Sequence, residues 1–256
     1  MINPMEMTGR NVLVTGAAQG IGEAVARLAH DLGAHVILND MQADKLQALA
    51  DDLGDRVTCH VGSVSDQAFV QGMVAQSVAD LGTIHGLVNN AGIVRAAMAR
   101  NMTQDTWQQV IDVNLSGVFY CLQAVGQHML ERRENGCEAP ASIVNISSDA
   151  GRRGTIGQIN YGAAKSGVMG LTMSAAREWS QFGLRVNSVL FGVVETPMTE
   201  VIRSDKFRDG VMAQVPMKRF STPEEVSQPV CFLLSEGSSY MTGQHVSVNG
   251  GYTIGV

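Results

Sequence analysis

The stretch Val12-Leu13-Val14-Thr15-Gly16-Ala17-Ala18-Gln19-Gly20-Ile21-Gly22 decides the fold, because apolar β-forming residues run into a glycine-punctuated turn and then into the helical pattern Glu23 to Ala29. A strand, a tight turn and a helix in that order open a βαβ unit. Without side chains at Gly16, Gly20 and Gly22 the backbone turns sharply and comes close to a pyrophosphate, which the free N–H groups of a helix N-terminus attract. Outward from this turn, short apolar runs recur at His35–Leu38, Val57–Val61, His85–Val88, Ser142–Ile146, Arg185–Leu190 and His245–Val248. Longer helical stretches separate them, including Thr106 to Met129 and Gly162 to Phe182. Thr222-Pro223-Glu224-Glu225 reads as a helix start, with a capping threonine, proline at the first position and a glutamate completing a capping box, and Pro229 is expected to bend that helix.

This alternation predicts an α/β protein in which residues 1–256 form a single domain, a Rossmann-type doubly wound parallel sheet of about seven strands with helices on both faces. Hydrophobic residues at 45% and charged residues at 16% describe a compact chain, and no repeat, linker or low-complexity tract divides it. A net charge of -6 argues against nucleic acid, whose phosphates need a basic face. The four cysteines, Cys59, Cys121, Cys137 and Cys231, lie far apart and read as buried free thiols. The six histidines form no ligand pattern, so no metal is expected. The stretch Met1 to Met7 lacks the features of a secretory leader, and no apolar run is long enough to span a bilayer. A soluble, cytoplasmic protein without membrane partners is expected.

Tyr161 and Lys165 stand four residues apart, a spacing that puts a phenol and an ammonium on one helix face. A lysine cation beside a tyrosine favours the phenolate and draws its pKa down from about 10, toward the range where proton transfer to a carbonyl is efficient. Ser148 lies thirteen residues upstream, just past an apolar run. Asp40 closes the second run, where a carboxylate accepts hydrogen bonds from both ribose hydroxyls of a dinucleotide and repels a 2′-phosphate. NAD is therefore expected as the cofactor.

Thr15-Gly16 through Gly22, Asn89-Asn90-Ala91-Gly92, Asn114, Ser148, Tyr161 with Lys165, Gly192-Val193-Val194-Glu195-Thr196 and Val248-Asn249-Gly250-Gly251 together resemble the short-chain dehydrogenase/reductase family over nearly the whole chain. The resemblance implies Tyr161 as general acid in reduction and base in oxidation, Ser148 as a second donor to the substrate oxygen, and Lys165 as the residue that tunes Tyr161 and holds the nicotinamide ribose. It implies that Asn114 supports a water chain from Lys165. It places the cofactor against Gly16, Gln19, Gly20, Ile21, Gly22, Asp40, Ser63, Val64, Asn90, Ala91, Gly92, Val194 and Thr196, besides Tyr161 and Lys165. Gln19 stands where NADP-using relatives often carry a cation, Ser63 replaces an aspartate that contacts adenine, and Phe191 replaces a proline. The two long helices are expected to pair with a second subunit in a homotetramer.

A substrate lid is expected at about 195–220, offering Met198, Val201, Ile202, Phe207, Val211, Met212, Val215 and Met217 as an apolar, adaptable cover. Arg152 and Arg153 stand ready for an anionic handle. The pattern is most like the 3-oxoacyl-thioester reductase branch, so a carbonyl or secondary alcohol substrate is expected, a 3-oxoacyl thioester first. Carrier-protein reductases commonly carry a basic residue late in the second long helix, where this chain has Gln181-Phe182-Gly183. A small secondary alcohol, diketone or polyol dehydrogenase is the alternative, and a redox sensor without catalysis is the remote one.

Overall fold

In the computed structural model, which describes residues 3–255, seven strands form: β1 (Asn11–Thr15), β2 (His35–Asp40), β3 (Val57–Val61), β4 (Gly86–Asn89), β5 (Ala141–Ser148), β6 (Leu184–Phe191) and β7 (His245–Val248). Met1 and Ile2, the first residues of the stretch read above for a leader, and Val256 lie outside the described residues. The sheet order is β3-β2-β1-β4-β5-β6-β7 and every pairing is parallel. The chain winds outward from β1 in one direction and then from β4 in the other, so the topology reverses between these two strands. Crevices open at the carboxyl ends of such neighbours.

The helices are α1 (Gly20–Asp31), α2 (Ala43–Leu53), α3 (Gln67–Leu81), α4 (Gln104–Ile111), α5 (Gly117–Glu134), α6 (Asp149–Arg153), α7 (Ile159–Trp179), α8 (Glu200–Arg203), α9 (Asp205–Gln214) and α10 (Pro223–Leu234). Side chains alternate across each strand, so a sheet covered on both faces needs apolar residues at every position. Val12, Val14, Val36, Leu38, Val144 and Val189 pack with α1 and α10 in one core, and Leu13, Ile37, Ile143 and Val186 pack with α3 and α5 in the other. That is why the strands read as continuous apolar runs.

Two long elements differ from the sequence expectation. The stretch expected as one helix from Thr106 to Met129 starts at Gln104, widens into a π turn at Asp112–Ser116 and continues to Glu134. The wide turn falls where the Asn114 amide reaches across to the main chain of Ile93. The helix expected over Gly162 to Phe182 begins at Ile159, and its last turn, Ser180–Phe182, tightens to 3-10 geometry before Gly183 at φ 73°. The capping box forms as expected: Glu225 N–H donates to Thr222 Oγ1 at 3.3 Å and Thr222 N–H to Glu225 Oε2 at 3.0 Å. Helix α10 then runs unbroken through Pro229. Among the described residues no helix is long and apolar enough to cross a membrane.

Candidate active site

The glycine turn and the loop after β4 are tied together at the topological reversal. Asn90 Nδ2 donates to the carbonyls of Thr15 and Gly16, both at 3.0 Å, while Thr15 Oγ1 accepts from the N–H groups of Asn90 and Ala91, both at 3.1 Å. A β-carbon on Gly22 would lie 2.0 Å from the Gly16 carbonyl oxygen, so the first turn of α1 sits this close to β1 only with glycine there. Gly22→Ala is expected to cost roughly 2–3 kcal/mol through this overlap and to weaken dinucleotide binding in parallel. Thermal melts and NADH fluorescence titration check it, and wild-type values in both would refute the close-packing argument.

A cavity of about 430 Å³ runs along the carboxyl ends of the strands. At one end stand Gly16, Gln19, Gly20, Asp40 and Ser63, and at the other Ser148, Tyr161 and Lys165, with Asn90, Ala91 and Gly92 between them; Val194 and Thr196 line it as well, and Thr196 reaches back to Gly20, where a β-carbon would lie 3.2 Å from its Cγ2. Ile21 and Val64 also line it, whereas Gly22 lies behind the turn and shapes it from inside. Gln19 stands at the N-cap of α1 but its side chain makes no bond to the helix N–H groups, which leaves the first turn open to an anion at the cavity floor. The Asp40 carboxylate is aimed by the Ala18 and Gln42 N–H groups, which donate to it at 3.1 and 3.0 Å. A dinucleotide therefore fits: a glycine cradle for pyrophosphate and a fixed carboxylate at the ribose end. Lys45, whose Nζ donates to Gln19 Oε1 at 2.7 Å, adds a cation to that rim which sequence reasoning missed. Its place in the first turn of α2, beside the glycine loop, became visible only with the fold.

At the other end the structure separates the two serines. Ser147 is buried and its hydroxyl donates to the Lys165 carbonyl at 2.8 Å, so it is committed to the scaffold. Ser148 caps α6, accepting from the Ala150 N–H at 3.2 Å, which fixes its oxygen and leaves its proton for a partner in the cavity. Tyr161 lies in the first turn of α7 and Lys165 one turn further on, both against the cavity.

The electrostatics depart from the sequence expectation. Burial raises the Tyr161 phenol above its ordinary value, with the Ser148 hydroxyl acting in the opposite direction. Lys165 does not lower it here, because its Nζ is 5.7 Å from the ring centroid and donates instead to the Ile146 carbonyl at 2.7 Å. Burial pushes the Lys165 ammonium itself down to about 8. Asn114 is fully buried and clasps Ile93 from both sides, accepting from its N–H at 2.8 Å and donating to its carbonyl at 2.9 Å.

Three further expectations change. Of the eight apolar lid residues, Met198 alone lines the cavity. Val215 is buried under the carboxyl-terminal loop near Gly250, Val201, Phe207 and Met217 are exposed, and α9 buries no residue of its own. Arg152 and Arg153 are taken by the carboxyl-terminal tail: Arg152 donates to Ser247 Oγ and the Gly255 carbonyl, and Arg153 to the Tyr252 carbonyl and Gln214 Oε1 while stacking 3.8 Å from the Tyr252 ring centroid. They brace the lid and tail and are not free for a substrate anion. Cys121 and Cys231 are buried, but Cys59 is half-buried and Cys137, on the loop before β5, is exposed. Phe191, which the resemblance sets in place of a proline, lies in register with Ser148 of β5 and Val248 of β7, and the Gly192 N–H after it donates to the Val248 carbonyl at 3.3 Å. Among the described residues no group of three or more potential ligands is placed to hold a metal ion.

A family model described as enoyl-(acyl carrier protein) reductase matches residues 16–253. A 3-oxoacyl-[acyl-carrier-protein] reductase FabG of Thermotoga maritima is 42% identical over 253 residues, covering 98% of this chain and 100% of that protein. Nodulation protein G of a Rhizobium species is 39% identical, over 96% of this chain and 98% of its own length. The crystal structure of a short-chain type dehydrogenase/reductase from Mycobacterium marinum superposes with a TM-score of 0.91 at 30% identity, covering 98% of both chains.

Proposed function

The chain belongs to the short-chain dehydrogenase/reductase family of oxidoreductases, and from that premise we propose that it is NAD(H)-dependent and reduces 3-oxoacyl thioesters to 3-hydroxyacyl thioesters. The observation that carries the reading is one cavity with a fixed carboxylate, Asp40, at one end and two hydroxyls with a buried lysine at the other. Bound nicotinamide supplies the hydride.

The chain's own residues manage the oxygen that receives the negative charge. Ser148, its lone pair held by the Ala150 N–H, donates its proton toward that oxygen. Tyr161 gives up its phenolic proton, and two preplaced donors lower the barrier where charge develops. Because burial raises Tyr161, the phenol keeps its proton at neutral pH and serves as an acid. Reduction is therefore the favoured direction near neutrality, and oxidation, which needs the phenolate, gains as pH rises. Lys165 lies one turn behind the phenol to resupply the proton, and Asn114 holds the Ile93 wall beside it.

Exposed Phe182 takes the place of a docking cation on the outer surface, which favours coenzyme A or a truncated thioester over a carrier protein. Phe119 and Met173, 38% and 48% exposed on α5 and α7, support assembly through these helices into a homotetramer, which light scattering tests.

The deciding experiment compares acetoacetyl-CoA, acetoin and a keto sugar, each with NADH and NADPH. We expect kcat/KM to favour the thioester by about tenfold or more, and NADH to bind at least about tenfold tighter than NADPH, a difference of ~1.4 kcal/mol. Asp40→Ala removes the repulsion and leaves Lys45 beside a 2′-phosphate, so the cofactor preference should relax. A thioester tenfold poorer than the small ketones would hand the site to a secondary alcohol or polyol dehydrogenase. Tighter NADPH binding by the wild type would end the NAD assignment.

A further inference from the structure

Asn160 is fully buried at 0% exposure immediately before the proton-donating tyrosine, yet the chemistry above makes no use of it. Its Oδ1 accepts from the Tyr161 N–H at 2.8 Å, and its Nδ2 donates to the carbonyls of Arg95 at 3.0 Å and Thr106 at 3.1 Å. Three separate pieces of chain meet on one amide: the first turn of α7, the loop after β4 and the start of α4. The first N–H groups of a helix have no partner within it, so Asn160 provides the bond that the Tyr161 backbone would otherwise lack. Its amide gives a donor to both carbonyls across a half-buried junction, joining the loop at Arg95 to the first turn of α4.

The loop that Asn160 grips is the substrate-side wall. Ile93 lines the cavity and is clasped by Asn114, and two residues on, Arg95 is held by Asn160. Further along, the Ala97 N–H donates to the Gly157 carbonyl at 2.9 Å, and Ala97 bridges to Gln158, just ahead of Tyr161. The wall and the start of the catalytic helix are thus stitched into one unit, and Asn160 is the side chain common to both.

We propose that Asn160 is a positioning residue that fixes the Tyr161 phenol relative to the wall that holds the substrate carbonyl; the proposal rests on the thioester-reductase reading above. Aspartate has the same shape and still accepts from the Tyr161 N–H, but it sets an oxygen against the Arg95 and Thr106 carbonyls to which the Asn160 amide donates. Alanine removes all three bonds. A displacement of about 1 Å between reacting groups costs on the order of 10²-fold in rate.

The test compares Asn160→Asp and Asn160→Ala with the wild type by amide hydrogen exchange, NADH fluorescence titration and pH-dependent kinetics on acetoacetyl-CoA. In Asn160→Ala, protection of the Tyr161 and Ala97 amides should fall about tenfold or more, and in Asn160→Asp that of Ala97 alone. Both variants should lose about 10- to 100-fold in kcat with a shifted pH midpoint. NADH affinity should stay within about twofold, since Asn160 does not line the cavity. Unchanged exchange at both amides overturns the proposal whatever the substrate proves to be. So does a kcat that falls only with the folded fraction while the pH midpoint stays put, the mark of a plain scaffold residue. If the wild type reduces no thioester, the functional reading falls, whereas the exchange data still decide whether Asn160 couples Tyr161 to the wall.

Discussion

Tyr161→Phe is expected to lower kcat by about 10²- to 10⁴-fold while NADH affinity stays within about an order of magnitude. The substitution removes one oxygen and its proton from a ring that lines the cavity, and leaves Ser148, Lys165 and the glycine cradle in place. Ser148 cannot replace the lost acid. A serine hydroxyl donates a hydrogen bond to the developing oxyanion, but it is far too weak an acid to give up its proton at neutral pH. The pH profile supplies a second check with a definite sign. Burial raises Tyr161, so the protonated form that reduction needs persists through neutrality, and the phenolate that oxidation needs grows with rising pH. Oxidation of a 3-hydroxyacyl thioester should therefore gain kcat/KM from pH 6 to 9 in the wild type, and the Phe variant should lose that gain. If Tyr161→Phe kept more than a tenth of wild-type kcat, a loss under ~1.4 kcal/mol, another group would have to be the acid.

What the sequence disclosed about this site was local. The run Val12 to Gly22 announces strand, turn and helix because each depends on neighbours a few residues away, and the seven strands appear where apolar runs lie between helical stretches. Tyr161 and Lys165 fall on one face of α7 for the same reason, since four residues make about one turn. What stayed hidden depends on distant partners. Arg152 and Arg153 read as free cations until the fold brings residues 247–255 and Gln214 onto them. Lys45 joins the cofactor rim only because β2 lies beside β1, which sets α2 next to the glycine loop. The π turn at Asp112–Ser116 answers to Ile93, some twenty positions earlier, and periodicity carries no trace of it. The direction of the Tyr161 shift was hidden too, because spacing reveals a neighbouring charge but not how deeply the group is buried.

Lys165→Met is expected to abolish turnover and yet stabilise the cofactor-free protein. Lys165 is 3% exposed, and among the described residues no carboxylate pairs with it and its ammonium donates to a single carbonyl, that of Ile146. Burial pulls it from 10.5 to about 8, so the folded state holds this proton more weakly than the unfolded chain does. Below pH 8 both states are protonated and the folded protein bears the full penalty. Between 8 and 10.5 the unfolded chain binds more protons, so wild-type stability rises with pH, and above that window the penalty is gone. At pH 7 the penalty is roughly 3 kcal/mol. A methionine of similar length removes it but leaves the Ile146 carbonyl without a donor, which returns about 1 kcal/mol. A net gain of roughly 2 kcal/mol corresponds to a melting temperature higher by about 4–8 °C in a chain of this size. Melts of both proteins without nucleotide at pH 7 and pH 10 decide it: the gap should be wide at the lower pH and narrow at the higher. A variant that melts below the wild type at pH 7 would mean that the ammonium is compensated in the fold. With the predicted gap, Lys165 becomes a charge kept in the core at the expense of stability, as expected of a group retained to pass protons to Tyr161.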